Sequence, residues 1–296
     1  MKKYIFLLTW LTSFLVVQAQ DGPSNVQKYT PSVLLEPGKW ELNSFYNLYT
    51  ETFSRDSEGN KISSPNRTTF INAMYQFTYG SSKSRKLNIG LDVWVSRMLI
   101  DDDKGSPLKI LTNSNRTAVT GIGPRVRYVP FDNIEGFSLQ STFIFPVASD
   151  LESPQFTGHD RYTWFTQFFY DMKLTSQWRL FLEADFLYRI DRDGTRPNFF
   201  RVPLSAFLSY FLKDQKTSVF LFSQYAPRFT NVMGPENEAG VIPEEFGLEG
   251  WFTQLGIGAK YQLTPKLGLE VAYANFIASR RDGGGYVLNL GFRYIR

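Results

Sequence analysis

Apolar and polar residues alternate with a period of two along most of the chain. The last stretch, "GGGYVLNLGFRYIR", shows the pattern best: Tyr286, Leu288, Leu290, Phe292 and Tyr294 share one side, and Val287, Asn289, Gly291, Arg293 and Ile295 share the other. Period-two alternation places the two sets on opposite faces of a β-strand. The same texture divides the chain into twelve segments, at 39–53, 67–79, 87–100, 118–129, 136–147, 161–174, 177–190, 199–212, 217–230, 251–263, 266–278 and 286–295. Ten or fourteen strands accommodate the pattern if strand ends shift by a few residues.

The connections carry a second rhythm. Short turns such as "SSKSRK", "TSQ", "KDQK" and "TPK" follow the even-numbered segments, and longer polar stretches mostly follow the odd ones. A two-sheet sandwich gives no reason for this alternation. A transmembrane antiparallel up-and-down β-barrel does, with short turns at one end and longer loops at the other. Closure also explains the greasy terminal strand, which has no exposed edge if it pairs with the first. The expected fold class is therefore all-β, a membrane barrel of about twelve strands spanning 38–296.

Composition agrees. The chain has 27 Phe, 16 Tyr and 6 Trp among 296 residues, yet its mean hydropathy is −0.25. One lipid-facing and one polar face per strand produce that combination. The N-terminus "MKKYIFLLTWLTSFLVVQAQ" has two lysines, an apolar run too short to span a bilayer comfortably, and a small-residue end. Residues 1–19 read as a cleaved signal peptide and 20–37 as a periplasmic leader. Without Lys2 and Lys3 the chain holds 30 basic and 28 acidic residues, a balance that offers nothing to nucleic acid. With no cysteine there is neither a disulfide framework nor a lipid-anchoring thiol. The expected location is the outer membrane of a Gram-negative bacterium. The expected partners are outer-membrane lipid and lipopolysaccharide, the outer-membrane assembly machinery, and a small anionic solute.

Charges fall on the face predicted to point inward: Glu41, Glu51, Asp92, Asp171, Glu183, Asp185 and Glu270 among the acids, with Arg125, Arg127, Lys173, Arg179, Arg189, Arg201, Arg228, Lys260 and Arg293 among the bases. Lys or Arg facing lipid costs about 2–4 kcal/mol at the midplane, so these groups belong in the lumen. Two readings compete, a rigid salt-bridge lattice and a wet conduit whose arginines attract anions. For the conduit, the selectivity candidates are Arg125, Arg127, Arg179, Glu183, Asp185, Arg189, Arg201 and Arg228. Inward glycines (Gly121, Gly123, Gly256, Gly258, Gly291) either make space in the lumen or relieve crowding.

Catalytic and metal signals are slight. His159, the only histidine, sits beside Asp160 in a loop and resembles the rim placement in barrel hydrolases. "DDDKG" at 101–105 has only the start of a calcium-loop spacing, and the default is a solvated acidic loop, as for 235–250. No cofactor, metal site or enzymatic activity is expected.

In layout, signal segment and Phe/Tyr-rich strands, the chain resembles Bacteroidota outer-membrane barrels. The stretches "TAVTGIGPRVRYVP" (117–130) and "FTQLGIGAKYQL" (252–263) are similar to the channel family associated with phenol meta-cleavage pathways. That resemblance implies passive transport of small molecules and supplies no catalytic residue. The alternatives are a plugged barrel serving an envelope assembly and, third, a rim hydrolase.

Overall fold

The computed structural model describes residues 34–148, 161–192, 197–233 and 244–296. Its strands are β1 Trp40–Arg55, β2 Lys61–Gly80, β3 Leu87–Asp101, β4 Arg116–Tyr128, β5 Phe137–Pro146, β6 Tyr162–Lys173, β7 Trp178–Ile190, β8 Phe199–Arg201, β9 Leu204–Phe211, β10 Thr217–Met233, β11 Glu244–Gln262, β12 Leu267–Arg280, β13 Asp282–Gly283 and β14 Tyr286–Ile295. They form one antiparallel sheet that closes on itself. Closure runs through β14 and β1, in register from Glu41 opposite Ile295 to Thr50 opposite Tyr286. Trp40 and Arg296 extend the seam by exchanging backbone hydrogen bonds at 2.8 and 2.9 Å. In hydrocarbon an unpaired amide costs several kcal/mol, and the seam removes the edge.

Twelve staves result, because β8 and β9 are two parts of one stave and β13 is a two-residue extension paired with β1. The sequence pattern predicts an unbroken strand over 199–212, and the structure corrects this at Val202–Pro203. Pro203 has no amide to give the ladder, and the local bonds are rearranged: the Asp185 amide donates to the Pro203 carbonyl at 2.8 Å, and Val202 donates to the Pro227 carbonyl at 3.0 Å. Two hairpins also run further than the alternation indicates. β2 begins at Lys61 rather than 67, and β11 at Glu244 rather than 251. These stretches pair with β1 and β10, but Ser, Pro, Gly and charged residues outnumber Ile62, Phe246 and Leu248 in them, so their alternation is too sparse to read.

The faces are inverted relative to a water-soluble protein. Leu42, Leu91, Val126, Leu221, Ile257 and Val271 are exposed on the outside, while Glu41, Gln76, Asp92, Arg125 and Gln140 are buried inside. Among the described residues the only cluster of buried apolar side chains is Leu35 with Ile295. Aromatic pairs ring both ends, with Trp40 and Tyr294 at 5.4 Å and Trp178 and Tyr210 at 5.0 Å on the turn side. Phe200, Phe229 and Phe246 stack on the loop side. Such belts suit the interface, where ring and polar tip meet different solvents. No helix among the described residues is long and apolar enough to cross a membrane. The crossing elements are strands.

Candidate functional site: an amphipathic lumen

The inward residues fall into layers. On the turn side, Arg125 meets Asp92 at 3.1 Å, with both side chains almost wholly buried. Arg125 also donates to the Phe77 carbonyl at 3.1 Å and to the Thr78 hydroxyl. Arg179 grips Asp171 with two bonds of 3.1 and 2.9 Å, the fork geometry that makes arginine–carboxylate pairs strong. Arg293 on β14 reaches Glu41 on β1 across the closing seam, its Nε donating at 2.7 Å. Lys260 pairs with Glu270 at 2.9 Å. These pairs join adjacent strands because period two brings the charges to one face and antiparallel register sets them side by side.

Arg127 is different. Its Nε and Nη2 both donate to the Gln140 side-chain oxygen, at 2.9 and 2.7 Å. Gln140 donates to Gln167 at 2.8 Å, and Gln167 donates to Glu183 at 2.6 Å. The amides thus form a directed chain around the wall from a cation on β4 to a carboxylate on β7. The belt resumes where Gln254 donates to Gln224 at 2.7 Å and Gln224 donates to Ser205 at 2.9 Å.

Beside this polar belt, one inward position nearer the turns on the same strands, stands a wall of phenylalanines. Phe169 and Phe181 stack at 5.7 Å, Phe181 and Phe207 lie at 5.8 Å, and Phe207 meets Phe220 and Phe222 at 6.0 and 5.3 Å. The inward glycines make this wall possible. A Cβ on Gly256 would collide with the Phe222 ring, and one on Gly258 with the Phe220 ring. Gly121 and Gly123 likewise admit Ile144 and the backbone at Phe143. The phenylalanines and the polar residues together line a cavity of about 370 Å3, among them Phe45, Phe169, Phe181, Phe207 and Phe220, with Glu41, Arg127, Arg179, Glu183, Lys260 and Arg293. That size falls at the lower end of small-molecule sites. Lys260 borders the phenylalanine wall, its ammonium lying 5.5 Å above the Phe220 ring.

Toward the loops lies a second charged layer. Arg201 pairs with Asp282 at 2.6 Å and Arg228 with Glu249 at 2.8 Å. The guanidinium groups of Arg161, Arg189 and Arg228 all lie within 6 Å of the Phe199 ring, at 5.2, 5.8 and 5.9 Å. In the loop after β3, Lys109 sits between Asp101 and Asp103 at 3.1 and 2.6 Å. An ammonium therefore occupies the place where the calcium-like spacing would set a metal. That contact, helped by the Gly105 amide, holds the Asp103 carboxyl down to about 2.

Of the selectivity candidates, Arg127, Arg179 and Glu183 line the cavity. Asp185 is buried two residues beyond Glu183 on the same strand, and Arg125 is sealed in the wall. Arg189, Arg201 and Arg228 belong to the loop-side layer, so the eight do not form one cluster. Lys173, expected inside, is exposed at the end of β6, because its stave ends there and the lumen opens. His159, Asp160 and most of the acidic loop 235–250 lie outside the described residues, as do 1–33. The phenylalanine wall was the site feature that charge patterning missed. Its signal is present, since Phe169, Phe181, Phe207 and Phe220 are in phase with Asp171, Arg179, Ser205 and Ser218.

No family model matches the sequence, and no curated protein matches it. Solved structures share the fold. The barrel matches an outer-membrane channel of Pseudomonas putida F1 with a TM-score of 0.63 and 14% identity, covering 90% of this chain and 98% of that one. It matches the β-domain of the Bordetella autotransporter BrkA with a TM-score of 0.52 and 12% identity, covering 88% and 99%. The chain has the fold of outer-membrane β-barrels.

Proposed function

We propose that the protein is a passive channel of a bacterial outer membrane for small solutes that join a flat apolar part to a polar or anionic group. The observation that carries this is the cavity, lined by ring faces and, beside them, by hydrogen-bonded charges and amides. A ring gains by leaving water against Phe181 and Phe207, while its polar group keeps hydrogen bonds to the charged and amide residues of the same lining. The likeness in fold to a channel and the resemblance at 117–130 and 252–263 support the same reading, and the layout and Phe/Tyr-rich strands lead us to propose a Bacteroidota-type host. Export by a cleaved N-terminal signal, and insertion by assembly machinery that reads the closing strand, complete the proposal.

The expected ion preference is slight. Five basic residues line the cavity (Arg127, Arg179, Lys260, Lys266 and Arg293), against four acidic ones (Glu41, Asp171, Glu183 and Glu270). Such a balance tilts conduction weakly toward anions rather than rejecting cations. Proteoliposome swelling tests the proposal: aryl carboxylates should enter faster than sugars of similar size. Equal rates for the two, or no entry of either, would sink it. The extent of arginine pairing favours a second reading, a closed accessory barrel. Electrical silence together with a stoichiometric protein partner on purification would establish that instead.

A further inference from the structure

One stretch at the turn end belongs neither to the wall nor to a turn. Residues 34–39 lead into β1, yet they lie against the inward ends of three other strands. Leu34 and Leu35 are 4% and 1% exposed. Leu35 packs on Ile295, the last inward residue of β14, and Ile295 lines the cavity. The Leu35 amide donates at 3.0 Å to the side-chain oxygen of Asn88 on β3, in the amide orientation that also lets Asn88 donate to the Leu87 carbonyl at 3.1 Å. On β2, a Cβ at Gly80 would collide with the Glu36 carbonyl.

The stretch is also fastened. Lys39 donates to the Glu36 carbonyl at 3.0 Å, closing a tight turn, and Gly38 donates to the Gly80 carbonyl at 3.0 Å. Gly38 has φ +79°, a conformation open to glycine at no steric cost. Glu36 meets Arg85 of the neighbouring turn at 3.3 Å. Three wall positions are therefore shaped for this stretch: a glycine beneath it, an asparagine whose oxygen it satisfies, and an isoleucine that would otherwise face water.

We propose that residues 34–39 are a gate, a strap folded into the turn-side mouth that floors the cavity until Leu34 and Leu35 withdraw. This rests on the channel reading above. Its hold is two apolar side chains and a few hydrogen bonds, beside a wall braced by buried ion pairs, so the strap is the part that yields first. When it withdraws, the cavity opens to the turn side without any change in the strands.

Single-channel conductance in planar bilayers tests it, with folding verified by heat-shifted gel mobility. Leu34→Asp/Leu35→Asp puts charges where apolar burial holds the strap, and conductance should rise several-fold over wild type. The natural chain has no cysteine, so a Leu35→Cys/Ile295→Cys pair gives a clean lock that should form a disulfide on oxidation. Oxidised, it should hold the lowest conductance, and a reductant should raise it to the wild-type level or above, because the reduced pair lacks the Leu35–Ile295 contact. If the Asp variant fails to fold, the disulfide pair decides alone. Wild-type conductance in both the Asp variant and the oxidised pair overturns the gate and leaves the channel standing. Silence of every form, the Asp variant included, overturns the gate and removes the channel with it.

Discussion

Replacing Arg125 by Met should destabilise the barrel by about 3–5 kcal/mol and leave its ion selectivity unchanged. Arg125 and Asp92 are 3.1 Å apart with side chains 1% and 2% exposed. At an effective dielectric near 20 their attraction is roughly 5 kcal/mol, much of it offset by the cost of taking both charges out of water. Removing one partner forfeits the attraction and leaves that cost. Asp92 would keep only Gln76 at 3.3 Å and Thr142 at 3.4 Å, both too long to solvate a full charge. Losses of about 3–5 kcal/mol are typical when a buried pair is broken from one side. Arg125→Met/Asp92→Asn removes the stranded charge and should recover at least half of the loss. Urea unfolding in lipid vesicles, followed by tryptophan fluorescence, measures all three proteins. Bilayer reversal potentials measure selectivity alongside. Arg127→Gln is the contrasting variant, because Arg127 lines the cavity and its loss equalises basic and acidic residues there, so anion preference should fall. A stability change under about 1 kcal/mol in Arg125→Met, or a selectivity change without one, would refute the assignment of Arg125 to the wall.

The glycine–phenylalanine contacts make a steric prediction: Gly258→Leu should cost about 1–3 kcal/mol by crowding Phe220, and adding Phe220→Ala should restore much of it in the same unfolding assay. Phe181→Ala, which breaches the ring wall without touching a charge, should slow entry of aryl carboxylates relative to sugars in swelling assays. Equal slowing of both would assign Phe181 to shape alone. The Lys109 clamp predicts a pH effect outside the membrane. Because Asp103 is held down to about 2, its contribution to loop order is complete above the ordinary carboxylate value near 4 and is lost as pH falls toward 2. Hydrogen exchange of the 101–112 amides should therefore gain protection from pH 2 to pH 4, and Lys109→Met should abolish that gain.

How far the sequence could be read depends on what enforces each feature. Alternation was legible because lipid outside and polar lumen inside impose opposite rules on neighbouring residues, so each stave declares its faces. Pro203 was visible, but whether a proline ends a strand or merely interrupts it depends on what neighbouring strands offer its carbonyls. Here Asp185 and β10 hold the two halves in one stave. The hairpin tips were illegible because Gly, Pro and polar residues dominate them while pairing continues.

For the lumen, the chain alone determined that Arg125, Arg127, Arg179, Arg189, Arg201 and Arg228 face inward, since charges on the lipid face are excluded. It did not determine their roles. Register decided that Arg125 is spent on Asp92 while Arg127 looks into the cavity, although the two stand only two residues apart on one strand. Pairing of consecutive staves decided that phenylalanines from β6, β7, β9 and β10 adjoin as one wall, and closure that Arg293 meets Glu41. Chain path decided that two leucines before the first strand lie against the last residues of the final one. Faces follow from local chemistry and can be read from period two. Partners across strands follow from register, closure and the course of the chain, which only the assembled barrel contains.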